Sequence, residues 1–276
     1  MKRLLLVLLM CLPCWAANDF TGDPNCLAVW NFESGALTTD SQGSHTLSVA
    51  QGTPAADTVN YKQGSSSVFL DWLGDGPAYN IADANLAAGF PLKGGSGSHE
   101  FSILFWVRPA SENASYFYQV WSKDQTGWTG GHRFATNGGA NTFNLKHTAQ
   151  SAGVNGQASL ITANQWYHIA CVYDPCLVNG TMSLYEWDDT ASTLYTHSSA
   201  NQESSYGSLV TTAVPFWVGG SDTTSIVRTY HGRIDEFVVF NRALTVEDVN
   251  DIRDGNYIVP AATGTSNWWW RRRHNN

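Results

Sequence analysis

Runs of four to eight residues rich in Val, Ile, Phe, Tyr and Trp recur along the chain, separated by Gly, Asn, Asp and Ser. That pattern predicts short β-strands joined by turns. The clearest runs are Leu27–Phe32, Ser67–Trp72, Phe101–Val107, Tyr116–Ser122, Thr142–Lys146, Trp166–Tyr173, Met182–Trp187, Pro215–Val218 and Ile234–Phe240. In Trp166–Tyr173, one face carries Ile169, Cys171 and Tyr173 and the other His168, Ala170 and Val172. Neither face is strongly polar, which predicts a central strand. In 232–240, Ile234, Glu236, Val238 and Phe240 alternate with Arg233, Asp235, Phe237 and Val239. Asn179-Gly180, between Tyr173 and Met182, signals a hairpin. One segment has helical punctuation, Thr245–Arg253. Thr245 is a fitting N-cap with Asp248 three residues on, and Gly255 lies just past the end. The expected architecture is all-β, a two-sheet antiparallel sandwich or jelly roll with one short C-terminal helix. No internal repeat is visible, and one domain is expected over 26–258.

The two ends depart from this pattern. Lys2 and Arg3 precede an apolar run from Leu4 to Leu12, too short to span a membrane. Small residues at Cys14, Ala16 and Ala17 suit cleavage after Ala16 or Ala17, so 1–17 reads as a secretory signal peptide. Residues 259–276 read as a linker and a Trp/Arg-rich tail, with Trp268–Trp270 followed by Arg271–Arg273. Trp favours membrane interfaces and Arg favours anionic headgroups, so peripheral surface attachment through the tail is one option. A loose tail is the plainer reading.

Composition narrows the function classes. Apolar residues make up 43 %, enough for a large core, while only 14 % are charged. The net charge is −8, which argues against nucleic-acid partners and suits a hard cation such as calcium. Cys26, Cys171 and Cys176 remain after the leader, enough for at most one disulfide, with its pairing open.

Six segments, in order, resemble a laminin-G-like domain of the concanavalin A-like lectin/glucanase superfamily. They are Ala28-Val-Trp-Asn-Phe-Glu-Ser-Gly with Asp40-Ser-Gln-Gly; Gly64-Ser-Ser-Ser-Val-Phe-Leu-Asp71; Phe101-Ser-Ile-Leu-Phe-Trp-Val-Arg-Pro109; Val120-Trp-Ser-Lys123; Asn164-Gln-Trp-Tyr-His-Ile-Ala-Cys-Val-Tyr-Asp174; and Gly232-Arg-Ile-Asp-Glu-Phe-Val-Val-Phe-Asn-Arg-Ala-Leu-Thr245. The resemblance covers about residues 27 to 257 and implies a concanavalin A-like jelly roll. It leaves the ligand open, because one fold hosts many functions. It also implies one structural calcium ion at positions matching Glu33, the Gly64 carbonyl and Asp235. The competing reading of Asp235 is hydrogen bonding to local backbone, or pairing with Arg233 or Arg242.

The hydrolases that this resemblance brings to mind carry E-x-D-x-x-E on one strand, two of the acids serving as nucleophile and acid/base. The nearest string is Glu186-Trp-Asp188-Asp189-Thr190, with Ala191 at the third position, and it reads as solvated acids at a hairpin end. Lyase strands, G-x-S-x-G, H-E-x-x-H, a P-loop and paired CxxC are all missing, and the eight His show no ligand spacing. The chain therefore reads as a non-enzyme.

Trp30, Trp106 and Trp166 match core positions of the resemblance. Trp128 stands instead in the Gly-rich stretch Asp124–Arg133, where loop aromatics are good ligand candidates. Asp124, Gln125, His132 and Arg133 would supply polar contacts. The leading expectation is a secreted or cell-surface, lectin-like, non-catalytic module that binds glycan or an extracellular protein. The alternatives are a structural or adhesive protein attached by its tail, and a polysaccharide hydrolase or lyase with unrecognised residues.

Overall fold

The computed structural model describes residues 18–72, 76–95, 100–110, 118–123, 132–137, 142–147, 153–155, 161–177, 180–199, 213–221 and 229–260. The leader, the tail, Trp128, Asp124 and Gln125 lie outside the described residues. Among the described residues there are fifteen strands: β1 (Cys26–Trp30), β2 (Ser48–Gln51), β3 (Ala55–Asp57), β4 (Ser67–Leu70), β5 (Ala78–Ile81), β6 (Phe101–Pro109), β7 (Gln119–Lys123), β8 (His132–Asn137), β9 (Thr142–His147), β10 (Gly153–Asn155), β11 (Tyr167–Asp174), β12 (Thr181–Asp188), β13 (Thr193–Ser199), β14 (Phe216–Val218) and β15 (Gly232–Phe240). An α-helix among them, α1, spans Val246–Arg253.

The strands form two antiparallel sheets. The eight-stranded sheet runs β13-β12-β11-β6-β15-β4-β3, with β1 also paired to β15. The seven-stranded sheet runs β10-β9-β8-β7-β14-β5-β2. This is the expected concanavalin A-like jelly roll. Between the sheets lies an aromatic core. Phe105 stacks on Phe237 with centroids 5.1 Å apart, and Phe216 meets Trp30 and Trp121. The Trp30 indole N–H donates to the His45 carbonyl at 2.8 Å, so burying this ring strands no donor.

A second cluster covers the outer face of the eight-stranded sheet. Val249 and Ile252 of α1, with Phe20 and Tyr257, pack on Leu104, Ala170, Val238 and Phe240. With apolar layers on both sides, every residue of β11 is buried, as expected for a central strand. The helix begins as its sequence indicates: the Thr245 side chain accepts from the Asp248 N–H, and Asp248 accepts from the Thr245 N–H.

Three expectations change. Strict alternation fails in β15, where a bulge between Asp235 and Val238 shifts the register against β6 and Glu236 adopts φ 45°. Phe237 and Val239 thus join the inner core, while Val238 and Phe240 join the outer cluster. Cys26, Cys171 and Cys176 form no disulfide with one another, the first two being buried and Cys176 exposed. Trp166 precedes β11 and is only half-buried; the neighbouring Tyr167 fills the core position.

Candidate functional site

Strand β14 is three residues long, and its period of two sorts them cleanly. Phe216 and Val218 are fully buried, and Trp217 between them faces away from the core. Asn80 of β5 stands opposite Trp217 on one side and Ser122 of β7 on the other. Arg133 of β8 stands opposite Ser122. Paired residues share a face, so Asn80, Trp217, Ser122 and Arg133 form one row across four strands. Adjacent strands are about 4.8 Å apart, which puts Trp217 and Arg133 about 10 Å apart at the backbone.

Ser122 donates to the Gly220 carbonyl at 2.9 Å, holding the chain just after β14. A Cβ at Gly220 would lie 2.8 Å from Ala78 Cβ and 3.8 Å from Trp217 Cε3, so glycine keeps the space beside the indole clear. Trp217 stacks on no other described ring, and its indole N–H has no acceptor. The other strand tryptophans are engaged. Trp106 lies under Lys62 Nζ at 4.4 Å and tilts against His168, and Trp187 lies under the Arg253 guanidinium at 3.9 Å. Burial, reinforced by the Arg253 and Lys62 charges, holds His168 down at about 3, so it is neutral packing at ordinary pH.

Of the residues read from the sequence as a ligand site, two fall in β8. His132 opens the strand, with its side chain outside the described residues, and Arg133 follows. Arg133 is 7 % exposed and belongs to the sheet rather than to a loop. Trp128, Asp124 and Gln125 fall in sequence between Lys123, the last residue of β7, and His132, the first of β8, outside the described residues.

Glu186 and Asp188 are not solvated acids. Glu186 pairs with Ile169 across β11 and β12, which turns it to the inner face, and it is fully buried. Asp188 on the same face accepts from the N–H groups of Thr190 and Ala191 at 2.9 Å, shaping the turn into β13. Both acids lie among packed side chains such as Tyr167, whose hydroxyl burial and these two charges push up.

Asp235 sits at the β15 bulge with no exposure. Its carboxylate accepts from the N–H groups of Lys62 at 2.6 Å, Gln63 at 3.0 Å and Glu236 at 2.9 Å. Arg233 binds Asp57 and Arg242 binds Asp248, so neither pairs with Asp235. Burial pushes Asp235 up to about 7; the Gln63, Lys62 and Glu236 N–H groups resist, and the Glu33 charge adds to the rise. Glu33 accepts from the Ser65 N–H and hydroxyl. Gly64, at φ 62°, lies against it: a Cβ there would come within 1.6 Å of Glu33 Oε1. Asp235 thus hydrogen-bonds local backbone, the competing reading of this residue, while the Glu33 charge acts on it from the turn that holds Gly64. Among the described residues no cluster of three or more His, Cys, Asp or Glu forms, so a cation here would draw on these two acids and on carbonyl oxygens. That donor set fits calcium, a hard ion accustomed to backbone oxygens.

Comparison with known proteins accords with the geometry. The family model of the concanavalin A-like lectin/glucanases superfamily matches residues 80–250. No curated relative matches. Among solved structures, domain 4 of AbnA, a GH43 extracellular arabinanase from Geobacillus stearothermophilus solved with arabinotriose, is similar at TM-score 0.55 and 17 % identity, over 83 % of this chain and 98 % of that one. The botulinum neurotoxin serotype D binding domain is similar at TM-score 0.59 and 16 % identity, over 84 % of this chain and 51 % of that one. The binding domain of botulinum neurotoxin DC in complex with SialylT is similar at TM-score 0.53 and 13 % identity, over 85 % and 52 %. This chain therefore spans about half the length of the neurotoxin chains. At these identities the likeness shows the fold.

Proposed function

This chain belongs to the concanavalin A-like lectin/glucanases superfamily, and we propose that it is an exported, non-catalytic module that binds glycan on the outer face of its seven-stranded sheet. The observation that carries this reading is Trp217: a half-buried indole on a strand face, without a ring or hydrogen-bond partner, in a row with Asn80, Ser122 and Arg133. An aromatic face stacks on the C–H face of a sugar, and the Asn80 amide paired beside it orients its hydroxyls. Trp128, Asp124 and Gln125, in the sequence between β7 and β8, are the further residues we assign to glycan contact. The burial of Glu186 and Asp188 inside the sandwich supports the non-catalytic reading, since an acid pair that cleaves a glycosidic bond must reach it.

Export rests on the leader pattern of residues 1–17 and agrees with the lack, among the described residues, of a helix long and apolar enough to cross a membrane. Calcium, held by Asp235, Glu33 and the Gly64 carbonyl, would neutralise the two acids and lock the start of β4 to the bulge of β15. It would stiffen the scaffold.

A glycan array tests the reading. Wild-type protein binds a defined set of glycans and Trp217→Ala loses them. Equal binding by both proteins, or binding only to proteins of the extracellular matrix, would overturn it.

A further inference from the structure

Asn18 ties three elements together. Its side-chain Nδ2 donates to Glu236 Oε1 at 2.6 Å and to the Ile252 carbonyl at 2.8 Å, while its Oδ1 accepts from the Tyr257 N–H at 3.2 Å. The β15 bulge, the last turn of α1 and the segment after it are thereby joined through one amide. Phe20 packs on Phe240 and Tyr257 beside it, so the whole N-terminal strap is seated.

Two groups here are unused. Glu236 is 5 % exposed and its Oε2 is buried with no donor. The Asn18 backbone N–H makes no hydrogen bond. The backbone nitrogen of an asparagine lies at most about 5 Å from its own Nδ2, and that Nδ2 sits on the other oxygen of the same carboxyl, so a small shift of the chain end brings donor and oxygen within reach. No resident cation competes: Arg242 binds Asp248 and Tyr257, and Arg253 binds Asp254 and Asn250. A buried carboxylate oxygen with no donor is costly, and a charge-assisted bond is the strongest remedy.

We propose that cleavage of the leader creates a binding partner for Glu236: the α-ammonium of the mature chain folds onto the buried carboxylate and completes the clamp around Asn18. Before cleavage this nitrogen is a neutral amide with a single hydrogen. Afterwards it carries a positive charge and three. Cleavage after Ala17 puts the ammonium on Asn18, and cleavage after Ala16 moves it one residue, about 3.8 Å, upstream. Export and final stability are thus coupled, because Glu236 gains this contact only once the leader is gone.

The test uses exported protein, with its N-terminus identified by sequencing. It is compared with the same chain bearing four extra residues, Gly-Ser-Gly-Ser, at that terminus. The extension lowers the melting temperature by several degrees. In a Glu236→Gln background the extension has a much smaller effect. A second readout does not depend on that variant: the native α-amine reacts with acetic anhydride at least tenfold more slowly than in urea. An unchanged melting temperature on extension, an equal loss in Glu236→Gln, or an α-amine as reactive folded as unfolded overturns the proposal. A mature chain beginning beyond Asn18 overturns it as well.

Discussion

Trp217 stands opposite Ser122 across β14 and β7, on the face turned from the core, and Ser122 is two residues from the segment that carries Trp128. Shortening 125–130 to a Gly-Ser linker should weaken glycan binding while leaving the melting temperature within a few degrees, because strands β7 and β8 on either side are kept. Parallel binding and thermal-melt measurements check this.

Gly64→Ala should destabilise the protein. Its φ of 62° suits glycine, and the added methyl would drive into Glu33. The proposed calcium contact should suffer too. Wild-type protein should gain melting temperature in millimolar calcium and lose it again with chelator. Asp235→Asn should lose most of that gain. A full gain in Asp235→Asn would remove Asp235 from the site.

Asp40 organises the turn after β1. It accepts from the N–H groups of Val29, Gln42, Gly43 and His45. Burial opposes its charge, but bonds from His45 and from backbone outweigh it and hold the carboxyl at about 2, below its ordinary 3.8. A depressed acid stabilises the fold above its unfolded value and loses that contribution as pH falls toward its folded one. Asp40→Asn should therefore cost on the order of 2 kcal/mol at pH 7 and lose less between pH 4 and 2 than wild type does. Urea titrations at the three pH values measure both.

Thiol labelling tests the packing of both clusters. Cys176 is exposed and should react with a thiol reagent in seconds to minutes. Cys26 and Cys171 are buried, and burial pushes both thiols up, so each should react only on unfolding. Rapid labelling of Cys171 in native protein would show a looser sandwich than the one described.

Phe105→Ala removes a ring stacked on Phe237 and touching Phe134 in the middle of the core. A large-to-small change there costs about 3–5 kcal/mol, read as a shift in the urea midpoint.

The elements legible in the sequence are those where burial and strand period agree. Phe101–Pro109 and Tyr167–Asp174 read as strands because aromatic and branched residues fill both faces, and both faces are covered. Strands β2, β3, β10 and β13 are missing from the sequence reading and lie at sheet edges; β5 and β8 are missing too although interior, because Ala78-Tyr-Asn-Ile81 and His132-Arg-Phe-Ala-Thr-Asn137 carry few branched or aromatic residues. The burial of Glu186 had a signal: it shares alternate positions with Met182 and Leu184. Its acid type suggested solvent instead. Trp217 was hidden because Phe216-Trp-Val218 reads as uniformly apolar, too short a run to reveal alternation. Nothing in the residue pattern announced the bulge at Asp235-Glu236, since a positive φ at glutamate is set by tertiary contacts.

The account rests most directly on Trp217 as a sugar platform, and calorimetric titration with the strongest glycan from the array tests it. Trp217→Ala should weaken binding at least tenfold, about 1.4 kcal/mol, with an unchanged melting temperature, and Trp217→Phe should recover part of the loss. An affinity the same in Trp217→Ala as in wild type would contradict it.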